Sequence, residues 1–208
     1  MENSALPFNE EIGQFEKNDK IFPPPHGAIL FAGSSSFRVW ETMEKDLAPL
    51  PVINRGFGGS TFADLLNFTD RIVIPYRPKI VVAYEGDNDL AQNPDKAESV
   101  IDNCKKFVKQ VHDKLPGTKI FILSLKPSPC RLNLWPDMVK FNVAIAKFAG
   151  KTEKVGFIDV STPMLKDGAM RKELFLDDML HMNNKGYAIW TAVIKPVLEK
   201  AWHSTRPR

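Results

Sequence analysis

The chain has 208 residues, of which 43% are hydrophobic, and this length and composition predict one well-buried domain. Its 28 Lys and Arg residues against 25 Asp and Glu residues give a net charge of +3. Both signs are interspersed along the chain, apart from a short basic tail at 203–208. This pattern is typical of an ordinary protein surface and argues against a nucleic-acid-binding protein.

Composition also argues against a metal, a cofactor or a membrane span. Cys104 and Cys130 are too few and too far apart for a disulfide framework, and no cluster of His, Cys or Glu has metal-ligand spacing. Neither a P-loop nor a dinucleotide-binding fingerprint is present, so we expect no cofactor. The N-terminus shows no signal peptide, and no segment approaches the roughly 20 apolar residues of a membrane span. We therefore expect a soluble, cytoplasmic protein without stable membrane insertion.

The order of apolar segments predicts an α/β fold. Short and continuous apolar runs, typical of strands buried on both faces of a parallel sheet, occupy 28–32, 52–54, 80–84, 119–125 and 155–158. Helix-period stretches alternate with them, most clearly at 95–115. We therefore predict a three-layer α/β/α sandwich, flavodoxin-like, with about five parallel strands.

The domain boundaries follow from the ends of this pattern. Three consecutive prolines at 23–25 cannot continue a helix, so they should end an amphipathic N-terminal segment. The last helix should begin with Asn183 or Asn184 as its cap. We predict that 1–27 is a helical, proline-rich extension packed on a single domain at 28–208.

A serine-rich loop follows the first predicted strand. A serine hydroxyl at the start of a helix would lie where backbone N–H groups favour the negative charge that develops in acyl transfer. Small polar residues at this place are also typical of an ordinary helix cap. The residues alone do not choose among Ser34, Ser35 and Ser36.

A histidine near the other end of the chain could activate such a serine. Of the four histidines, only His181 has a carboxylate three residues upstream in a loop that opens onto a helix. A base needs an orienting group of this kind to take a proton from an alcohol. Asp177 competes with Asp178 for that role, and the shorter spacing favours Asp178. A surface histidine beside an acidic turn is the alternative interpretation.

Polar loops also follow the second and third strands. The carboxyl ends of parallel strands meet at one edge of the sheet, so these loops should lie beside the serines. The backbone N–H of Gly59 and the side-chain amide of Asn88 could complete an oxyanion hole begun by the serine N–H. As isolated residues, both are equally typical of tight turns.

Acidic residues surround Asn88, and they would disfavour strongly anionic substrates. They are Glu85, Asp87 and Asp89. Three arginines are candidates for offsetting that charge, at positions Arg55, Arg71 and Arg131.

Taken together and in this order, these motifs resemble those of the GDSL, or SGNH, hydrolase family, which is named after its Ser, Gly, Asn and His residues. The four matching blocks lie at 29–35, 54–60, 86–89 and 178–181. The resemblance implies Ser35 as nucleophile, Gly59 and Asn88 in the oxyanion hole, and His181 with Asp178 as base and orienting acid. It also implies hydrolysis of esters or thioesters without a cofactor. The chain departs from the family pattern at Ser34, where the first block has an aspartate.

The sequence therefore predicts a serine hydrolase with the triad Ser35, His181 and Asp178 and the oxyanion donors Ser35, Gly59 and Asn88, without a metal. The expected substrate is a small-molecule ester with a short acyl group, such as an acetylated sugar, a short-chain ester or a lipid like those of platelet-activating-factor acetylhydrolase-like enzymes. Two alternatives remain open. One is a non-catalytic phosphate- or flavin-binding protein of flavodoxin-like fold, and the other is an acyltransferase with the same triad.

Overall fold

The computed structural model of the protein describes residues 6–93 and 97–204. Its central sheet has five parallel strands in the order β2-β1-β3-β4-β5. The strands are β1 (Ile29–Gly33), β2 (Val52–Gly56), β3 (Ile80–Tyr84), β4 (Lys119–Leu123) and β5 (Val155–Ile158). This is the strand order of flavodoxin-like sheets, and the predicted fold class is confirmed.

Helices flank the sheet on both faces. They are α1 (Asn9–Ile21), α2 (Ser35–Arg38), α3 (Met43–Leu47), α4 (Phe62–Ile72), α5 (Asp87–Gln92), α6 (Ala97–Lys114), α7 (Trp135–Ala149) and α8 (Asn184–Ser204). Helix α4 packs against α6 and α6 against α7, while α3 packs against α8. Strands β1 and β3 are buried throughout, which explains their continuous apolar sequence. Residue 95, where we predicted α6 to begin, lies outside the described residues.

The sequence pattern gave no sign of a small hairpin between β5 and α8. Strands β6 (Leu165–Lys166) and β7 (Ala169–Met170) pair in antiparallel orientation. Strands of two residues are too short for hydrophobic periodicity to reveal. The cap of α8 is Asn183, whose side-chain oxygen accepts hydrogen bonds from the backbone N–H groups of Lys185 (2.9 Å) and Gly186 (3.3 Å).

Helix α1 packs against α4 and reaches the loop that follows β2. The Glu11 carboxylate accepts a hydrogen bond of 3.0 Å from the backbone N–H of Gly58. The Phe8 ring packs edge-on against Phe57 at 5.5 Å. We propose that 1–27 is an extension packed on a domain at 28–208. Residues 1–5 and 205–208 of these ranges, including most of the basic tail, lie outside the described part of the chain.

The strand order explains why the candidate residues meet. Strand β1 lies between β2 and β3, so the loops that follow β2 and β3 flank the loop that follows β1. The loop after β2 carries Gly59, the loop after β1 leads directly into Ser35, and Asn88 lies in the first turn of α5, not in the loop after β3 as the sequence predicted. In open parallel sheets, functional sites usually lie at the carboxyl ends of the strands, where these three segments meet.

Candidate active site

Ser35 is the first residue of α2 and follows β1 after a single residue. This sharp transition depends on Gly33, because a Cβ atom there would lie 2.1 Å from the carbonyl oxygen of Tyr84. The next turn is held from the far end of the chain, where the hydroxyl of Tyr187 donates a hydrogen bond of 2.9 Å to the carbonyl oxygen of Ser36. The Ser35 side chain therefore lies on a rigid element at the carboxyl edge of the sheet.

Ser35 and His181 lie in direct contact although they are almost a whole chain apart in sequence. His181 Nε2 is 2.9 Å from Ser35 Oγ, and His181 Nδ1 is 2.6 Å from Asp178 Oδ2. The second carboxylate oxygen of Asp178 accepts hydrogen bonds of 2.9 Å from the backbone N–H groups of Leu180 and His181. Asp178 is therefore the carboxylate in contact with the His181 ring, whereas Asp177 is exposed and makes no hydrogen bond to the described residues.

Hydrogen bonding keeps the Asp178 carboxylate ionised. Burial raises its pKa, but the hydrogen bonds from the His181 ring and from the Leu180 and His181 backbone outweigh that effect and lower the pKa to about 2. An ionised carboxylate accepts the proton of Nδ1, which leaves the lone pair of Nε2 directed at the Ser35 hydroxyl.

Unpaired hydrogen-bond donors lie at the same edge of the sheet. Within 6–93 and 97–204, the backbone N–H groups of Ser35 and Gly59 donate to no protein acceptor. The Asn88 amide nitrogen donates one hydrogen bond of 2.9 Å to the carbonyl oxygen of Ser60, so its second proton is free for another acceptor. That nitrogen is 4.0 Å from the position where a side chain on Gly59 would begin.

Ser34 stands at the position of the family aspartate. Its hydroxyl is buried and has no hydrogen-bond partner among the described residues.

A buried ionic network lies behind Asn88. The Asp87 carboxylate oxygen Oδ2 is 3.0 Å from Lys126 Nζ and 3.2 Å from Arg131 Nη1. Burial raises the pKa of Asp87, but the charges of Lys126 and Arg131 outweigh burial and lower it. The sequence analysis did not single out Lys126, although a lysine three residues after a buried strand is an unusual enough feature to mark it. Arg55 and Arg71 pair instead with Asp19 and Glu16 of α1.

Glu85 is buried, and its surroundings favour the protonated form. The Ser60 hydroxyl oxygen lies 2.6 Å from Glu85 Oε1 and 3.0 Å from the carbonyl oxygen of Phe57, and a hydroxyl has only one proton to donate. A protonated Glu85 supplies the missing donor. In agreement, burial raises the pKa of Glu85 well above its usual value, although the Ser60 hydrogen bond opposes this. Burial also raises the pKa of Asp89 to about 7, so the acidic cluster carries much less charge than its sequence indicates.

Replacing Glu85 with glutamine should stabilise the protein at alkaline pH. The unfolded chain ionises this group above its ordinary pKa of 4.5, whereas the folded chain keeps it protonated, so stability falls as pH rises toward the folded pKa. The amide of Glu85→Gln can donate to Ser60 without this penalty. We expect a higher Tm than wild type at pH 8 and little difference near pH 4, with about 2–4 °C for each kcal/mol gained.

Thermal unfolding followed by circular dichroism across this pH range measures the effect. Glu153→Gln is the matched control, because the Glu153 side chain is 90% exposed. A Glu85→Gln protein with a lower Tm than wild type at pH 8 would contradict a protonated Glu85.

An apolar cavity of about 590 Å³ adjoins Asp178 on the side of the β6–β7 hairpin. Leu132, Trp135, Met170 and Met179 supply most of its apolar lining. Among the described residues, no group of three His, Cys, Asp or Glu side chains could hold a metal ion. In the same part of the chain, no helix is both long and apolar enough to cross a bilayer.

An alcohol, an imidazole and a carboxylate lie here in hydrogen-bonded series, at the edge of a parallel sheet that also carries free N–H donors, and such an arrangement is typical of hydrolytic enzymes. Residues 27–189 match the sequence profile of the GDSL-like lipase/acylhydrolase family. The chain belongs to this family and is an ester hydrolase.

Solved structures share the fold at low sequence identity. A Streptococcus pneumoniae protein, provisionally described as a platelet activating factor, is 22% identical with a TM-score of 0.79, over 91% of this chain and 92% of that one. A GDSL-like lipase from Bacteroides thetaiotaomicron is 22% identical with a TM-score of 0.75, over 91% and 98%. A family 3 carbohydrate esterase from Talaromyces cellulolyticus is 18% identical with a TM-score of 0.70, over 86% and 99%. No curated protein matches the chain significantly in sequence.

Proposed function

We propose that the protein cleaves carboxylic esters through an acyl-enzyme formed on Ser35. The observation that carries this proposal is the continuous contact from Ser35 Oγ to His181 Nε2 (2.9 Å) and from His181 Nδ1 to Asp178 Oδ2 (2.6 Å). The first distance is suitable for proton transfer and the second for orienting the imidazole ring, and neither requires a conformational change.

Both halves of the reaction use the same proton acceptor. His181 Nε2 takes the Ser35 proton while Oγ attacks the carbonyl carbon, and collapse of the tetrahedral intermediate expels the alcohol, which takes that proton from His181. Water then attacks the acyl-enzyme and gives a proton to His181. The second collapse releases the carboxylic acid and returns the proton to Ser35.

The backbone N–H groups of Ser35 and Gly59 and the free N–H of Asn88 would stabilise the negatively charged oxygen in each intermediate. Removing one such donor costs about 10² to 10³ in kcat, so we expect Asn88→Ala to lower kcat by that factor with a small change in KM. Steady-state kinetics on p-nitrophenyl acetate measures it. Asn103→Ala is the control, because the Asn103 side chain hydrogen-bonds to the surface residue Lys106 and to no other described residue. An Asn88→Ala enzyme with wild-type kcat would remove Asn88 from the oxyanion hole.

The proposed substrates are esters of short acyl groups such as acetate. The loops that carry Gly59 and that lead into the helix of Asn88 are short, at 57–61 and 85–86, and they leave little chain for an apolar lid over Ser35. The cavity beside Asp178 provides apolar surface for the alcohol part of the ester. Because Glu85 is protonated and Asp87 is paired, the acidic cluster is a weaker barrier to anionic substrates than the sequence predicts.

A panel of p-nitrophenyl esters with acyl chains from acetate to decanoate, together with acetylated sugars, tests this function. We expect the highest kcat/KM for acetate and release of the free acid. Partition of the acyl group to an added alcohol instead of water would favour an acyltransferase. Absence of any hydrolysis, together with a bound yellow chromophore or affinity for inorganic phosphate, would favour a binding protein.

A further inference from the structure

Arg131 lies outside the four motifs that identify the family, in a short 3-10 segment between β4 and α7. Its backbone N–H donates to the carbonyl oxygen of Ser128 at 2.9 Å, which closes the first turn of this segment. From there the side chain extends to α5, and it remains only 15% exposed. A guanidinium so far removed from water needs charged or hydrogen-bonding partners in the interior to offset the cost of its burial.

The guanidinium determines which end of the Asn88 side chain faces the site. Arg131 Nη2 donates a hydrogen bond of 2.8 Å to Asn88 Oδ1. Arginine has donors only, so it holds the amide with its oxygen toward Arg131 and its nitrogen toward the carbonyl of Ser60. Among the described residues, only Arg131 donates a hydrogen bond to the oxygen of this amide.

Arg131 contacts both Asp87 and Asn88. Its Nη1 lies 3.2 Å from Asp87 Oδ2, which also lies 3.0 Å from Lys126 Nζ, so two positive charges face one carboxylate. Its Nη2 is hydrogen-bonded to the amide oxygen of Asn88. In a low-dielectric surrounding such a charge polarises the amide and strengthens its N–H as a donor.

We propose that Arg131 is a positioning residue for the oxyanion hole, which orients and polarises Asn88 so that the Asn88 N–H stabilises the charge that develops on the substrate oxygen. This inference rests on the proposed function. It predicts that Arg131 acts through Asn88 and not through substrate binding or through general stability.

A double-mutant cycle on p-nitrophenyl acetate tests the proposal with wild type, Asn88→Ala, Arg131→Met and the double variant. We expect Arg131→Met to lower kcat about 10- to 100-fold with KM nearly unchanged, less than for Asn88→Ala because the donor itself remains. In the Asn88→Ala background, the same change should lower kcat less than about twofold, because its target is gone. Arg131→Lys should give a kcat between wild type and Arg131→Met, since lysine keeps the charge without the planar fork.

Arg171→Met is the matched control, because Arg171 pairs with Glu173 at the surface, and thermal unfolding shows that each variant is folded at the assay temperature. If Arg131→Met is unfolded there, the cycle is completed with Arg131→Lys. Effects that multiply in the double variant, or a change in KM alone, overturn the role of Arg131 and leave the proposed function intact. Unchanged kcat in Asn88→Ala overturns both.

Discussion

Ser35→Ala is expected to lower kcat on p-nitrophenyl acetate at least about 10³-fold, because the reaction loses the atom that forms the acyl-enzyme. The residual rate would come from direct attack of water on the substrate carbonyl, with the oxyanion donors still stabilising the carbonyl oxygen. KM should change little, since the hydroxyl contributes little to substrate binding. The His181 ring would keep its contact with Asp178, so the fold and the rest of the site should persist in the variant.

Ser34→Ala is the control that makes this result specific. Its hydroxyl has no partner among the described residues and is buried, so its removal should leave kcat within about twofold of wild type and should not lower the Tm. Esterase activity that survives in Ser35→Ala but disappears in Ser34→Ala would show that the nucleophile is Ser34 and not Ser35.

Asp178→Asn is expected to lower kcat by about 10³ to 10⁴ while leaving the fold intact. The carboxylate accepts the Nδ1 proton of His181 and so selects the tautomer whose Nε2 can take the Ser35 proton. An amide can donate to Nδ1 instead, which favours the tautomer with a proton on Nε2. Because the pKa of Asp178 is about 2, this carboxylate stays ionised across ordinary assay pH, and its contribution to stability is lost only as pH falls toward that value.

The control for this change is Asp177→Asn, which alters the charge of the same loop one residue away. Asp177 is exposed and forms no hydrogen bond to the described residues, so kcat should stay close to that of wild type. Equal losses in the two variants would indicate a general electrostatic effect of the loop. A larger loss in Asp177→Asn would show that the orienting acid is Asp177.

Much of the fold could be predicted from chain order, because strands buried on both faces carry continuous apolar sequence. The five strands lie within one or two residues of the predicted runs at β1, β2 and β4, and at the predicted bounds in β3 and β5. The prediction also placed Ser35, Gly59 and Asn88 at one edge, and the strand order explains this because β1 lies between the other two strands. The roles of these residues stay predictions.

Features that depend on contacts between side chains distant in sequence could not be predicted from the sequence. The acidic cluster predicted a negative site, whereas Asp87 is paired with Lys126 and Arg131, and burial raises the pKa of Glu85 well above its usual value. A pKa depends on three-dimensional burial and partners, which composition does not contain. For the same reason Arg131 was considered only as a possible source of positive charge, and its contact with Asn88 emerged from the folded chain.

Labelling with a fluorophosphonate, followed by peptide mapping, tests the central claim that Ser35 is the activated nucleophile. Trypsin should release the peptide at 21–38, which contains three adjacent serines, so fragmentation of the labelled peptide is needed to locate the phosphonate. We predict stoichiometric modification of Ser35, with loss of esterase activity in proportion, and no labelling of the Ser35→Ala protein. A phosphonate on any other residue, or full esterase activity without labelling, would contradict the account.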